Sequence, residues 1–181
     1  MPPPIPVALV GYDSRWPQLA AEYSQALRAL GPVVVNVHHI GSTSVPGLAA
    51  KPIIDLMVLV DDLGKLDQIR EDVEALGYQW HGELGISGRR YCTLSTESGE
   101  RKVQLHCFSA DSPHVRRHLA FRDYLRAHPE VARPYEIEKY RARGLHPQDS
   151  HAYGDEKDTW IRKKEAEALR WFYAQPGDIL K

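Results

Sequence analysis

The sequence has little of what would quickly narrow its setting. Of its 181 residues only Cys92 and Cys107 are cysteine, and both fall in segments that read as strands. Two cysteines without a Cys-x-x-Cys spacing argue against a disulfide-stapled scaffold and a thiolate metal site. They point to a reducing compartment such as the cytoplasm. Charge nearly cancels: 23 Lys and Arg against 24 Asp and Glu leave a formal net charge of -1, so no global field draws the chain to nucleic acid or membrane. Long apolar runs are also missing. The best candidate, Pro52 to Val60, contains Asp55 and is far shorter than the roughly 20 residues that span a bilayer. The opening Met1-Pro2-Pro3-Pro4 lacks the charged start and apolar stretch of a secretion signal. A cytoplasmic protein without membrane attachment is expected.

What is present is an ordinary globular composition and a clear succession of periodic segments. Trp16, Leu19, Ala20, Tyr23, Leu27 and Leu30 have helical spacing, and Gly31-Pro32 ends that run. Val33 to Ile40 is a β-branched strand, and Ile53 to Val60 is a second, buried on both faces apart from Asp55. Asp61 or Asp62 caps a helix that runs to about Leu76 and stops at Gly77. Arg89–Ser95 and Lys102–Phe108 alternate as an antiparallel pair around a turn at Thr96–Glu100. From Pro113 onward the chain reads as helical: a stripe at Leu119, Phe121, Tyr124 and Leu125, a helix opened by Pro129, and a last helix from about Asp155 to Tyr173. The predicted class is α+β, a mixed sheet of about four or five strands flanked by helices with a C-terminal helical half. One domain over 1–181 is expected, with the sheet core in 1–110 and the helical half, 111–181, packed on it.

The stretch His39-Ile40-Gly41-Ser42-Thr43-Ser44-Val45-Pro46-Gly47-Leu48-Ala49-Ala50-Lys51-Pro52-Ile53-Ile54-Asp55 carries the most chemistry. It joins two strands through a loop of small residues. Gly41 and Gly47 allow close backbone approach, and Ser42, Thr43 and Ser44 place hydroxyls beside backbone amides that would cradle an anion. Lys51 adds a point charge suited to phosphate. Asp55 follows on the strand, where a carboxylate would hold a divalent cation.

A hydrophobe, Gly-Ser, about a dozen residues and a strand Asp resembles the pattern of DNA polymerase β-type nucleotidyltransferases. The whole stretch is similar, almost residue for residue, to the signature of the GrpB family, which is assigned that fold. The likeness extends to Tyr12-Asp13 with Trp16, Gly88-Arg89-Arg90-Tyr91, Gln104-Leu105-His106, Phe121 to Pro129, Tyr135-Glu136 with Lys139, and Tyr153 with Lys157. It implies a nucleotidyltransferase-like fold and a nucleotide or other phosphate-containing small molecule as ligand. Nucleic acid is not expected, since no long basic surface stands out. It also implies a divalent metal, Mg²⁺ or Mn²⁺, on Asp55, with His106 as second ligand or general base. GrpB-like domains fused to dephospho-coenzyme A kinases suggest an accessory, non-catalytic binding role by analogy. The metal pattern is broken, however. Met57 stands where the second carboxylate belongs, and the neighbouring strand offers Gln104 and His106 instead of an acid. Imidazole suits Zn²⁺, Mn²⁺ or Ni²⁺ better than Mg²⁺, so a metal-dependent ligase or hydrolase built on Asp55 and histidines is a further alternative.

Each candidate has a plainer reading. Ser42 to Ser44 would serve equally as a capped turn. Asp55 would pair with Lys51, Arg89 or Arg90, and His39 and His106 would be hydrogen-bonded core residues. Alternation sends Arg89 and Arg90 to opposite faces, so only one is expected at the cleft. Arg122 and Arg126 pair with local acids such as Asp123 unless they face a ligand, and Tyr153 and Lys157, spaced i,i+4, point the same way. His146, Asp149 and His151 read as a loop before they read as a metal trio. Phosphate and substrate binding is assigned to Gly41, Ser42, Thr43, Ser44, Lys51, Arg89, Arg90, Arg122, Lys139, Tyr153 and Lys157, catalysis and metal binding to Asp55 and His106.

Overall fold

The structure, a computed structural model, describes residues 2–175. Helix α1 (Trp16–Arg28) has Pro17 in its first turn, where its fixed φ is suited, and packs against β1 (Val34–Ile40). A single 3-10 turn, Ser42–Ser44, leads by a loop to β2 (Ile54–Val60). The helix expected after β2 is two short ones, α2 (Leu63–Gln68) and α3 (Arg70–Ala75), broken at Ile69, with Asp62 capping the first. A two-residue strand that the sequence reading passed over, β3 (Gln79–Trp80), precedes β4 (Arg89–Ser95) and β5 (Arg101–Ser109).

The five strands lie in the order β1-β2-β5-β4-β3. Only β2 and β5 run parallel; the other neighbours are antiparallel. The α+β class with a mixed sheet therefore stands. Register divides the side chains into two layers. One face, with Leu56, Val58, Leu105 and Cys92, packs under Trp16, Leu27, Leu66 and Val73 of the first three helices. The other carries Ile40, Met57, Leu59 and Phe108, which meet Val115 and Leu119 of α4 (Pro113–Ala127). Both cysteines are buried and free.

Helix α5 (Pro129–Leu145) opens on Pro129, and α6 runs over Ser150–Ala174. The latter begins five residues before the expected Asp155, because the Asp149 carboxylate accepts from the amides of His151 and Ala152 and caps it. His146, Asp149 and His151 are thus spent on a helix junction. Tyr135 of α5 stacks on Trp160 of α6 at 4.8 Å, while Ala168 and Phe172 of α6 pack on Ala120 of α4. The C-terminal aromatics hold the helices together. Among the described residues no helix is long and apolar enough to cross a membrane.

Met57 has 0% exposure in the seam beneath α4, so an acid there would be a buried, unpaired charge. Met57→Asp is expected to destabilise the protein by about 3–5 kcal/mol in urea unfolding, and Met57→Leu by less than about 1.5 kcal/mol. A Met57→Asp protein of near wild-type stability would refute this placement.

Candidate functional site

The site begins with a steric constraint. Gly41 adopts φ 69° and ψ -172°, a region essentially reserved for glycine. A Cβ built there would lie 2.4 Å from Asp55 Oδ2. The loop backbone and the carboxylate are therefore in direct contact, and Ile40 aligns with Asp55 across the β1–β2 pair.

Side chains from the helical half fix the rest of the loop. Arg126 Nε donates to the Ser44 carbonyl at 2.9 Å, and Arg122 donates to the His39 carbonyl at 3.2 Å. From α5, Glu136 accepts the Ala49 amide at 2.7 Å while the Lys139 ammonium donates to the Ala49 carbonyl. Ala49 is thus held through both its amide and its carbonyl.

These elements enclose a cavity of about 360 Å³ lined by Gly41, Ser42, Thr43, Lys51, Asp55, Gln104, Arg117, Arg122, Lys139, Tyr153, Lys157 and Glu165, with Asp158 at its wall. Most of the expected site residues meet here, drawn from β2, the preceding loop and three helices. Ser44 turns its hydroxyl to the Gly41 carbonyl (2.6 Å), and Thr43 pairs with His39 Nε2 (2.9 Å). Two of the three hydroxyls are therefore engaged locally. Arg122 forks onto Asp123 and presents only part of its guanidinium.

Arg89 and Arg90 are placed elsewhere. β5 lies between β4 and β2, which puts both arginines two strands from Asp55. Arg89 donates to the Glu83 and Leu84 carbonyls, and Arg90 forks onto Asp67 with both bonds at 2.6 Å. His106 is next to the site without lining it. It aligns with buried Met57, while Gln104 is the residue beside Asp55. His106 Nε2 is 3.7 Å from Asp55 Oδ1, too long for a hydrogen bond. Its ring lies in a half-buried row between Tyr91 (5.3 Å) and His118 (5.7 Å), and its Nδ1 has no partner among the described residues. His39 aligns with Leu56 and His38 with Met57, so His38 is the one on Asp55's face of the sheet.

Arg117, His118, Asp158 and Glu165 line the cavity but were missed in the sequence. For Glu165 the available signal was the four-residue spacing along α6 of Tyr153, Lys157, Ile161 and Glu165, the last three of which fall within the helix expected from Asp155; that spacing does not reach Arg117, His118 or Asp158.

The electrostatics are unusual. Arg117 pairs with Glu165 at 2.7 Å and Asp158 with Arg162 at 2.5 Å. Lys51, Lys139 and Lys157 have no carboxylate within 4.0 Å among the described residues. Lys157 Nζ sits 4.0 Å and Lys51 Nζ 5.5 Å from the ring centroid of buried Tyr153. Such contacts soften the loss of hydration without neutralising the charge. Burial, then the neighbouring Lys51, lowers Lys157 to about 7. Burial, then Lys157, lowers Lys139 to about 7. Burial also lowers Lys51, against the pull of Asp55, and it raises the carboxyl of Glu165.

Both buried lysines have folded values below the ordinary lysine range, so between about pH 7 and 10 the unfolded chain binds more protons than the folded one. Stability must then rise with pH from the lower end of that window and fall as pH drops toward 7. From pH 7 to about 8.5, below the ordinary thiol and phenol range, the urea midpoint of the wild type is expected to increase. Lys139→Met is expected to show a smaller increase. A midpoint that falls over this interval would contradict the burial of these ammonium groups.

Comparison with known proteins agrees with this architecture. The family described as GrpB protein matches residues 6–167. The protein YqkA of Bacillus subtilis is 39% identical over 166 residues, which cover 91% of this chain and 48% of YqkA; the chain spans about half the length of that relative. The glutamate-rich protein GrpB of Alkalihalophilus pseudofirmus is 30% identical, over 86% of this chain and 91% of its own length. A dephospho-CoA kinase of Mycolicibacterium paratuberculosis is 28% identical, over 92% of this chain and 47% of the kinase. Among solved structures, GrpB from Enterococcus faecalis superposes with a TM-score of 0.86 at 39% identity, covering 92% of this chain and 99% of that one. The Cid1 poly(U) polymerase with bound MgGTP superposes with a TM-score of 0.53 at 17% identity, over 74% of this chain and 44% of Cid1, a likeness of fold alone. The loop, the strand aspartate and the helical half that completes their cavity thus lie within a pattern shared along most of the sequence, and the chain belongs to the GrpB protein family, with a nucleotidyltransferase-like fold.

Proposed function

We propose that the cavity binds the phosphates of a small-molecule nucleotide or related polyphosphate. The observation that carries this reading is the set of three lysines without carboxylate partners among the described residues, Lys51, Lys139 and Lys157, which line one cavity together with Gly41 and Ser42. An anion would offset the charge that burial leaves uncompensated. The cations converge in a concave, partly open cavity of about 360 Å³ instead of along an extended groove, which favours a small ligand over nucleic acid. The same binding without chemistry would suit an accessory module, as the partial match to dephospho-CoA kinases suggests by analogy.

A second reading, nucleotidyl transfer, is favoured by Asp55. Its carboxylate lines the same cavity and is positioned by the Gly41 contact. Asp55 would take the proton from an acceptor hydroxyl as that oxygen attacks the α-phosphorus of a nucleoside triphosphate in line. Pyrophosphate would leave toward the lysines.

A thermal-shift panel of nucleoside triphosphates and pyrophosphate tests binding. Ligand at about 100 times its dissociation constant is expected to stabilise the wild type by about 2.7 kcal/mol, and the ligand-induced shift should shrink in Lys157→Met. No shift with any phosphate compound would sink the binding reading. For transfer, pyrophosphate release with a panel of small hydroxylated acceptors should fall at least about 100-fold in Asp55→Asn; unaltered release would remove Asp55 from the chemistry.

A further inference from the structure

A two-metal centre on this fold requires several oxygen ligands aimed at one point. β2 supplies Asp55 alone. Met57, two residues on, is sealed under α4 with 0% exposure, and register places the neutral amide of Gln104 beside Asp55 on β5. The other carboxylates on the cavity wall are engaged, Glu165 by Arg117 and Asp158 by Arg162. Among the described residues no group of three or more His, Cys, Asp or Glu is gathered as a metal site. This donor set does not fit paired divalent cations.

Basic groups stand where the positive charge would be needed. Lys51 enters from the residues before β2, Lys139 from α5 and Lys157 from α6. Three separate elements thus aim ammonium groups at one cavity that also contains Asp55. Lys51 and Lys157 flank the ring of Tyr153, and Lys139 is anchored on the Ala49 carbonyl and lies 5.0 Å from the Tyr135 ring. We propose that Lys51, Lys139 and Lys157 take the place of the paired cations, so that a polyphosphate, free or attached to a nucleoside, binds this cleft without a divalent metal. The proposal rests on the phosphate-binding reading above and adds how the phosphate charge is met.

The physical case is one of charge and donors. An ammonium carries a compact charge and three donors, enough to bind non-bridging phosphate oxygens from several directions. The groups acting on these lysines are Asp55 from β2, Arg101 from β5, Glu136 and Glu138 from α5, the phenols of Tyr135 and Tyr153, and the neighbouring lysines themselves. A bound polyanion supplies the missing opposite charge, so binding also draws protons onto the lysines and weakens as pH rises above neutrality.

The test is calorimetric titration of the full chain at pH 7 with inorganic tripolyphosphate and with ATP. Each is run at matched ionic strength in chelator-stripped buffer and again with excess Mg²⁺. Binding without metal is expected, and added Mg²⁺ should leave it unchanged or weaken it by masking ligand charge. Lys157→Met is expected to weaken binding at least about tenfold, a loss that Lys157→Arg largely restores. Asp55→Asn, which removes a negative charge, is expected to bind tripolyphosphate as tightly or more tightly; a metal ligand would lose binding there. Binding that appears only with Mg²⁺, or that Asp55→Asn abolishes, overturns the proposal and leaves the phosphate-binding reading intact. No binding under either condition overturns both.

Discussion

The contact between the Gly41 backbone and the Asp55 carboxylate is the constraint on which the cleft depends. A side chain at position 41 would occupy the space of the carboxylate oxygen, so loop and strand can approach only because glycine is there. Everything else that shapes the loop comes from far along the chain. Arg122 and Arg126 hold its start and Glu136 with Lys139 its end. The helical half thus sets the conformation of a loop whose own sequence, rich in small residues, would not fix it.

That arrangement explains why one residue set has two aspects. Lys139 is a structural clamp on Ala49 and also one of the cations at the cavity wall. Tyr153 is a buried packing residue and also the surface against which Lys51 and Lys157 rest. Arg117 and Glu165 cancel each other on the cavity wall, and Arg90 is paired with Asp67 away from it, leaving the lysines as the dominant electrostatic feature of the cleft.

Much of the fold was legible because apolar periodicity is a local signal, and β1, β2, β4, β5 and the helical half were read from it. The Gly41–Asp55 unit was legible for the same reason, since its residues are contiguous. Strand order and register were not legible, and these decided Arg89, Arg90 and His106. The first two sit on a strand screened from Asp55 by β5, and the third lies one step past the aligned Gln104. The start of α6 was misplaced because Gly154 and its polar neighbours read as loop, whereas the Asp149 cap carries the helix through them.

The division of labour between the two halves has a consequence for biogenesis. The segment before α1 is stitched to the junction between α5 and α6, with Val7 donating to the Pro147 carbonyl and Ile5 and Ser150 bonding each other. The sheet face formed by Ile40, Met57, Leu59 and Phe108 has α4 as its cover. During synthesis the strands leave the ribosome before that cover exists, and the loop they carry cannot take its final shape until α5 emerges. The nascent sheet therefore presents an apolar face for the time needed to translate α4, and assembly of the cleft is postponed until α5 and α6 have been made.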